Sequence, residues 1–70
     1  MERYEIYRQD RNDSEHFYLV NAHGCFGTAC EMAKLYSMSP NCRFSMVVNV
    51  YDIERKCVVA SYKEGFTHKW

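Results

Sequence analysis

Only one stretch of this chain carries a helical period, and alternating segments lie on both sides of it. Ala29, Met32, Ala33 and Tyr36 recur at i, i+3, i+4 and i+7, the spacing of a single apolar stripe on a helix. Thr28 and Glu31 stand three apart at the front of this stripe and predict a capping box with Thr28 as N-cap. Pro40 closes the segment, because the residue before a proline avoids the helical region. The expected helix covers residues 29–37. A lone helix with one apolar stripe must bury it against another element, and here the only candidate is a sheet.

The flanking segments supply that sheet. Residues 3–9 alternate, with Tyr4 and Ile6 on one face and Glu5 and Tyr7 on the other. The polar cluster at 10–15 predicts a hairpin turn, and residues 16–22 a second strand with Phe17 and Leu19 opposed to Tyr18 and Val20. The alternation is clearest at 43–52, where Phe44, Met46, Val48 and Val50 form a core face opposite Ser45, Val47, Asn49 and Tyr51. A charged turn at 52–56 leads to a fourth strand at 57–64, with Val58, Ala60 and Tyr62 opposed to Cys57, Val59, Ser61 and Lys63. Gly65 ends it, and 66–70 is a short tail. The expected fold is therefore α+β: β-β-α-β-β, a four-stranded antiparallel sheet with one helix packed on one face.

The chain has 70 residues and forms one domain in this reading. A domain near that length buries only about 60% of its unfolded surface, so a homodimer is a natural way to bury more. The uncovered sheet face is expected to display Glu5, Tyr7, Ser45, Val47, Asn49 and Tyr51. Tyr4 and Tyr62 join the core face with Ile6 and Val58, and Tyr36 the helix stripe. That leaves Tyr7 and Tyr51 as the rings positioned to meet a partner.

Charge narrows the function classes. Nine basic and nine acidic side chains cancel, which argues against binding DNA or membranes by bulk charge. No apolar run approaches the ~18 residues of a membrane span, and the first five residues lack the apolar core of a secretory signal. A cytoplasmic location with reduced thiols is the expectation, and Cys25, Cys30, Cys42 and Cys57 are expected free and mostly buried. Structural zinc needs close ligand pairs, which these spacings lack, so no metal is expected. Cys25, in His23-Gly24-Cys25-Phe26-Gly27 ahead of the helix, has the setting of an activated thiol, but so short a chain offers little cleft. Asp10, Asp13, Asp52 and Glu54 read as solvated turn residues. Gly24-x-x-Gly27 is half of a phosphate fingerprint without its strand-helix-strand context. No enzyme and no cofactor are expected.

What remains is binding. Tyr, Trp, Arg and Met are the side chains favoured at the centres of protein interfaces, and an open tyrosine face suits a protein partner. The alternative is a small nucleic-acid binder, with Tyr7 and Tyr51 stacking on bases and Arg8, Arg43, Lys63 and Lys69 meeting phosphates.

Ala33-Lys34 in the helix, Cys42 after it, the alternating strand at 43–52, and Tyr62-Lys63-Glu64-Gly65 followed by Lys69-Trp70 resemble the small phage-encoded type I-F anti-CRISPR proteins. The resemblance covers about residues 28–70, through short motifs. It implies a helix on an antiparallel sheet that docks on the backbone subunits of a host CRISPR surveillance complex. Such a protein covers the basic groove where target DNA pairs with the guide, and acts in the host cytoplasm. It implies Lys34 on the binding surface, with Tyr62 and Lys63 beside it; the strand alternation adds Tyr7 and Tyr51, and Arg43 supplies a basic rim. The chain departs from that family in a longer region before the third strand, more cysteines and a less basic helix.

Overall fold

The computed structural model describes residues 2–10, 13–39 and 46–68, with backbone alone for 13–16. The elements are β1 (Tyr4–Asp10), β2 (Asp13–His23), α1 (Phe26–Ser37), β3 (Met46–Asp52), β4 (Cys57–Lys63) and β5 (Phe66–Thr67). All pairings are antiparallel, in the order β2-β1-β3-β4-β5. The sheet is thus α+β as expected, with five strands rather than four. Arg43, Phe44, Ser45, Cys42, Lys69 and Trp70 lie outside the described residues. No described helix is long and apolar enough to cross a membrane.

The fifth strand comes from the tail. Glu64 and Gly65 both have positive φ, 52° and 84°. This is the backbone of a two-residue type I′ turn, which folds Phe66 back onto Lys63. The Gly65 amide donates to Ser37 Oγ at 2.9 Å, and Ser37 Oγ donates to the Lys34 carbonyl at 2.6 Å. The turn is therefore tied to the end of the helix. Gly65→Ala should destabilise by about 1–2 kcal/mol, the cost of a left-handed non-glycine residue. The new Cβ would lie 2.9 Å from Met38 Cγ, but Met38 is exposed and can turn aside. A thermal midpoint equal to the parent's would show that the turn does not hold this backbone.

The core lies between α1 and the sheet. Tyr4, Ile6, Ala29, Ala33, Val48 and Val50 form it, with Val20, Cys30, Met32, Tyr36, Val59, Ala60 and Tyr62 packed around them. Register explains the membership: Ile6 stands opposite Val50 and Arg8 opposite Val48, so the alternations of β1 and β3 share one face. Ala29 and Ala33 have no side chain beyond Cβ, which lets the helix approach closely.

Two of the three register shifts change which side chains face the core. The β1–β2 register steps at Ile6/Tyr7 and inserts Val20; the β3–β4 register steps at Val50/Tyr51 and inserts Val59. Val59 and Ala60 consequently both pack on the core, and Val58 turns to the opposite face beside Tyr51. The expected placement of Val58 with Ala60 and Tyr62 is corrected by this bulge.

The helix also starts earlier than the capping box implies. Its N-cap is Cys25 rather than Thr28, and Thr28 lies inside the first turn with Gly27. Phe26 packs against Tyr4 with ring centroids 5.4 Å apart. Such a pair contributes about 0.5–1.5 kcal/mol beyond burial, comparable to the ~1 kcal/mol of a good cap. Ring packing onto the sheet can therefore override the local signal.

Asp52 differs most from its expected solvated role: only 1% of it is exposed. Its carboxylate accepts from Arg3 Nε and Nη2, both at 3.1 Å, and from the Glu54 and Arg55 amides at 3.0 and 3.3 Å. The Arg3 guanidinium holds Asp52 below the ordinary carboxylate range, the loop amides assist, and desolvation opposes them. A depressed folded pKa contributes stability above the unfolded value of about 3.9, and that contribution is lost as pH falls through the folded value. Asp52→Asn should lower stability at pH 7 and flatten its further loss in acid. Urea midpoints at pH 7 and pH 3 test this; equally steep acid losses in parent and variant would remove Asp52 as the linked group.

Candidate interaction face

The sheet face away from the helix is built from four strands. β1 contributes Glu5, Tyr7 and Gln9, β3 contributes Asn49 and Tyr51, β2 contributes Phe17 and Leu19, and β4 contributes Val58 and Ser61, as the registers place them. Tyr7 stands between Phe17 and Tyr51. Its ring centroid is 5.4 Å from Phe17 and 6.4 Å from Tyr51, with interplanar angles of 87° and 80°. These are edge-to-face contacts, the arrangement that aligns ring edge with ring face. Val58 extends the row, so an apolar diagonal crosses β2, β1, β3 and β4. Phe17, Leu19 and Val58 are 57%, 56% and 47% exposed.

The row borders a concavity of about 430 Å3 lined by Tyr7, Gln9, Phe17, Asn49, Tyr51 and Val58. Its polar part is ordered by a chain of side-chain bonds. Ser61 Oγ donates to Asn49 Oδ1 at 2.7 Å, and Asn49 Nδ2 donates to Gln9 Oε1 at 2.7 Å. At the rim, the Tyr7 hydroxyl donates to Glu5 Oε1 at 3.0 Å. Burial raises the Tyr7 pKa, and the Glu5 carboxylate raises it further.

The face is less open than alternation predicts. Val47, Asn49 and Ser61 are buried, although all three lie on the helix-free side. For Asn49 the cause is visible: Tyr7 and Tyr51 flank it, and Gln9 and Ser61 take its polar atoms. Asn49→Ala should cost about 1–3 kcal/mol, because it removes a buried amide that accepts from Ser61 and donates to Gln9. Chemical denaturation measures this, and a Ser61→Ala, Asn49→Ala double variant should recover part of the loss. A double variant as unstable as the sum of the singles would show the bond to be incidental.

The sequence-predicted binding residues do not form one patch. Tyr7 and Tyr51 come together on the helix-free face. Lys34 is exposed in the last turn of α1, on the opposite side of the sheet. Tyr62 packs against the core, its hydroxyl paired with the Cys30 thiol, and burial followed by that pairing pushes its pKa up to about 12. Lys63 is half-buried and pairs with Phe66 of β5. Arg43 lies outside the described residues. Conversely, Phe17 belongs to the row but carries no sequence signal that selects its face, and Val58 belongs to it although alternation puts it on the core face. The choice between the two sets of β2 needed the register, and Val58 needed the bulge.

The cysteines form a separate candidate. Cys25, Cys30 and Cys57 are free thiols, and Cys25 and Cys57 are exposed rather than buried as expected. Cys25 lies at the start of α1, where the Thr28 amide first, then the Thr28 hydroxyl and the Gly27 amide, hold its thiol below the ordinary range. His23 is not aimed at the sulfur: its Nδ1 accepts the Cys25 backbone N–H at 3.0 Å. The Cys25 thiol should therefore alkylate half-maximally at a pH below the ordinary thiol value of about 8.5. An iodoacetamide profile centred at or above that value would show that the helix amides do not reach it. Among the described residues, no group of three or more His, Cys, Asp or Glu is placed to hold a metal ion.

Compared with known proteins, the chain matches no family model, no curated protein and no solved structure.

Proposed function

We propose that this protein is a non-enzymatic interaction protein that uses its helix-free sheet face as the docking surface. The observation that carries this reading is the row Phe17, Tyr7, Tyr51 and Val58 around the concavity, continued by exposed Leu19. Exposed apolar side chains gathered beside one another and rimmed by polar groups mark interaction sites, whereas singly scattered ones do not. The finer reading follows the resemblance to type I-F anti-CRISPR proteins. The protein acts as a steric inhibitor on the backbone subunits of a host CRISPR surveillance complex and excludes target DNA. That reading places it in the cytoplasm of a host cell.

Direct nucleic-acid binding is the weaker alternative. A stacking face needs cations around it to meet phosphates. Here Glu5 lies beside Tyr7, and Arg3 is committed to Asp52 and Glu54.

The test mixes the protein with purified type I-F surveillance complex and labelled target DNA. Inhibition predicts loss of DNA binding at stoichiometric protein, without a shift of free DNA by the protein alone. Full DNA binding in the presence of excess protein removes the anti-CRISPR reading. A salt-sensitive shift of free DNA, fading steeply as salt rises, would favour the nucleic-acid reading instead.

A further inference from the structure

The two edges of the sheet are unlike. β5, at one margin, has two residues, and a very short edge strand is one way proteins keep a sheet from pairing with other chains. β2, at the other margin, has 11 residues, and among the described residues only β1 pairs with it. Residues 17–22 of β2 include no charge and no proline, the usual guards of an edge. Phe17, Tyr18 and Leu19 are consecutive, and each is more than half exposed. Successive strand residues point to opposite faces, so both faces are bare at this one place. A body docked on either face would leave the other uncovered, whereas a strand added at the edge supplies neighbours on both. Backbone phase shows which groups are open. The Arg3 carbonyl accepts from the Ile53 amide, so odd-numbered residues of β1 turn their backbone groups to β3 and even-numbered ones to β2. Arg8 pairs with Tyr18, so Tyr18 directs its backbone groups to β1, and Phe17 and Leu19 turn theirs outward. Further along, the Ala22 amide is closed off by Asn21 Oδ1 at 2.8 Å.

We propose that the outer edge of β2 pairs antiparallel with β2 of a second copy, about a two-fold axis at Tyr18. The backbone phase selects this occupant. With Tyr18 opposite its own mate, Phe17 and Leu19 of each copy stand opposite Leu19 and Phe17 of the other. These outward-turned residues are the ones able to exchange hydrogen bonds across the new ladder. Two aromatic–aliphatic pairs then meet on the helix-free face, and a tyrosine pair on the helix side, combinations that stabilise cross-strand contacts. The exposed halves of these three side chains amount to on the order of 300 Å2 per copy. Doubled, that falls short of the ~1,200 Å2 of a stable interface, so the dimer is weak and dissociates on dilution. The inference does not depend on the docking role of the helix-free face, because Tyr7, Tyr51 and Val58 lie on strands inward of this edge.

The test follows the intact protein by sedimentation and by NMR amide exchange at about 50 μM and about 1 mM. A dimer should appear at the higher concentration. There the Phe17 and Leu19 amides should exchange at least about fivefold more slowly than in the dilute sample. Tyr18→Lys sets two like charges opposite each other on the axis, and it should stay monomeric with an unchanged circular dichroism spectrum. A parent that remains monomeric at about 1 mM overturns the pairing and leaves the edge to a strand of another protein. A dimer whose Phe17 and Leu19 amides exchange as fast as in the dilute sample also overturns it, in favour of contact through the aromatic row. So does a folded Tyr18→Lys that dimerises like the parent. If Tyr18→Lys does not fold, the exchange pattern of the parent decides.

Discussion

Ile6→Ala is expected to remove roughly half of the domain's stability at 25 °C. Ile6 is fully buried on β1, with β2 and β3 on its two sides and α1 above it. An isoleucine truncated to alanine in such a site loses about 2–5 kcal/mol, the transfer term plus the cavity left behind. A chain of 70 residues at the usual ~0.05–0.15 kcal/mol per residue has only about 3.5–10 kcal/mol to lose. The thin core offers little room for compensation, because Ala29 and Ala33 are already minimal side chains and α1 cannot settle much further. Ile6→Val should fall between, at about 0.5–1.5 kcal/mol. Ile53, exposed in the β3–β4 turn, provides the control: Ile53→Ala should stay within about 0.5 kcal/mol of the parent. Urea unfolding by circular dichroism measures all three. If Ile6→Ala shifts the midpoint no more than Ile53→Ala does, the core has been placed on the wrong face of the sheet.

That face could be read because β1 and β3 are regular where they meet. Tyr4, Ile6, Val48 and Val50 alternate strictly, and the helix stripe of Ala29, Met32, Ala33 and Tyr36 has a single period to obey. The features that escaped reading are all decided by distant partners or by the backbone. A bulge leaves no side-chain mark: Val58 and Val59 are chemically identical, and only the register with Tyr51 sends one to each face. Asp52 looks like an ordinary turn residue until Arg3, 49 positions earlier, is brought beside it. The start of α1 was hidden in the same way, since Phe26 gains its value from Tyr4 across the fold. The β4–β5 turn uses Glu-Gly, a weaker hairpin signal than Asn-Gly, and so marks the last strand only faintly. For the candidate site, Tyr7 and Tyr51 were legible from alternation alone. Their neighbours Phe17 and Val58 were not, and neither was the concavity, which exists only once strands from both hairpins are aligned.

Tyr51→Ala is the substitution that should most weaken partner binding without dismantling the fold. Truncation of a central aromatic anchor typically costs about 2 kcal/mol or more, roughly a thirtyfold loss in affinity. Tyr7 is the less informative position, although it sits at the centre of the row. It contacts both Phe17 and Tyr51 and holds Glu5, so its removal loosens three neighbours and mixes folding with binding. Tyr51 contacts Tyr7 on one side and Val58 lies on its other, and the hydroxyl makes no described bond. Its loss should lower the thermal midpoint only slightly, which the same sample can show. Lys34→Glu is the matching control on the helix side. The two surfaces lie on opposite sides of the sheet, so one flat docking surface cannot use both. If the surveillance complex is the partner and the aromatic row meets it, Tyr51→Ala raises the concentration needed for inhibition and Lys34→Glu does not. The reverse result would move the docking surface to α1, where the resemblance puts Lys34. The ring row would then need another occupant, and a second copy of the chain, face to face, would be the one to look for by sedimentation.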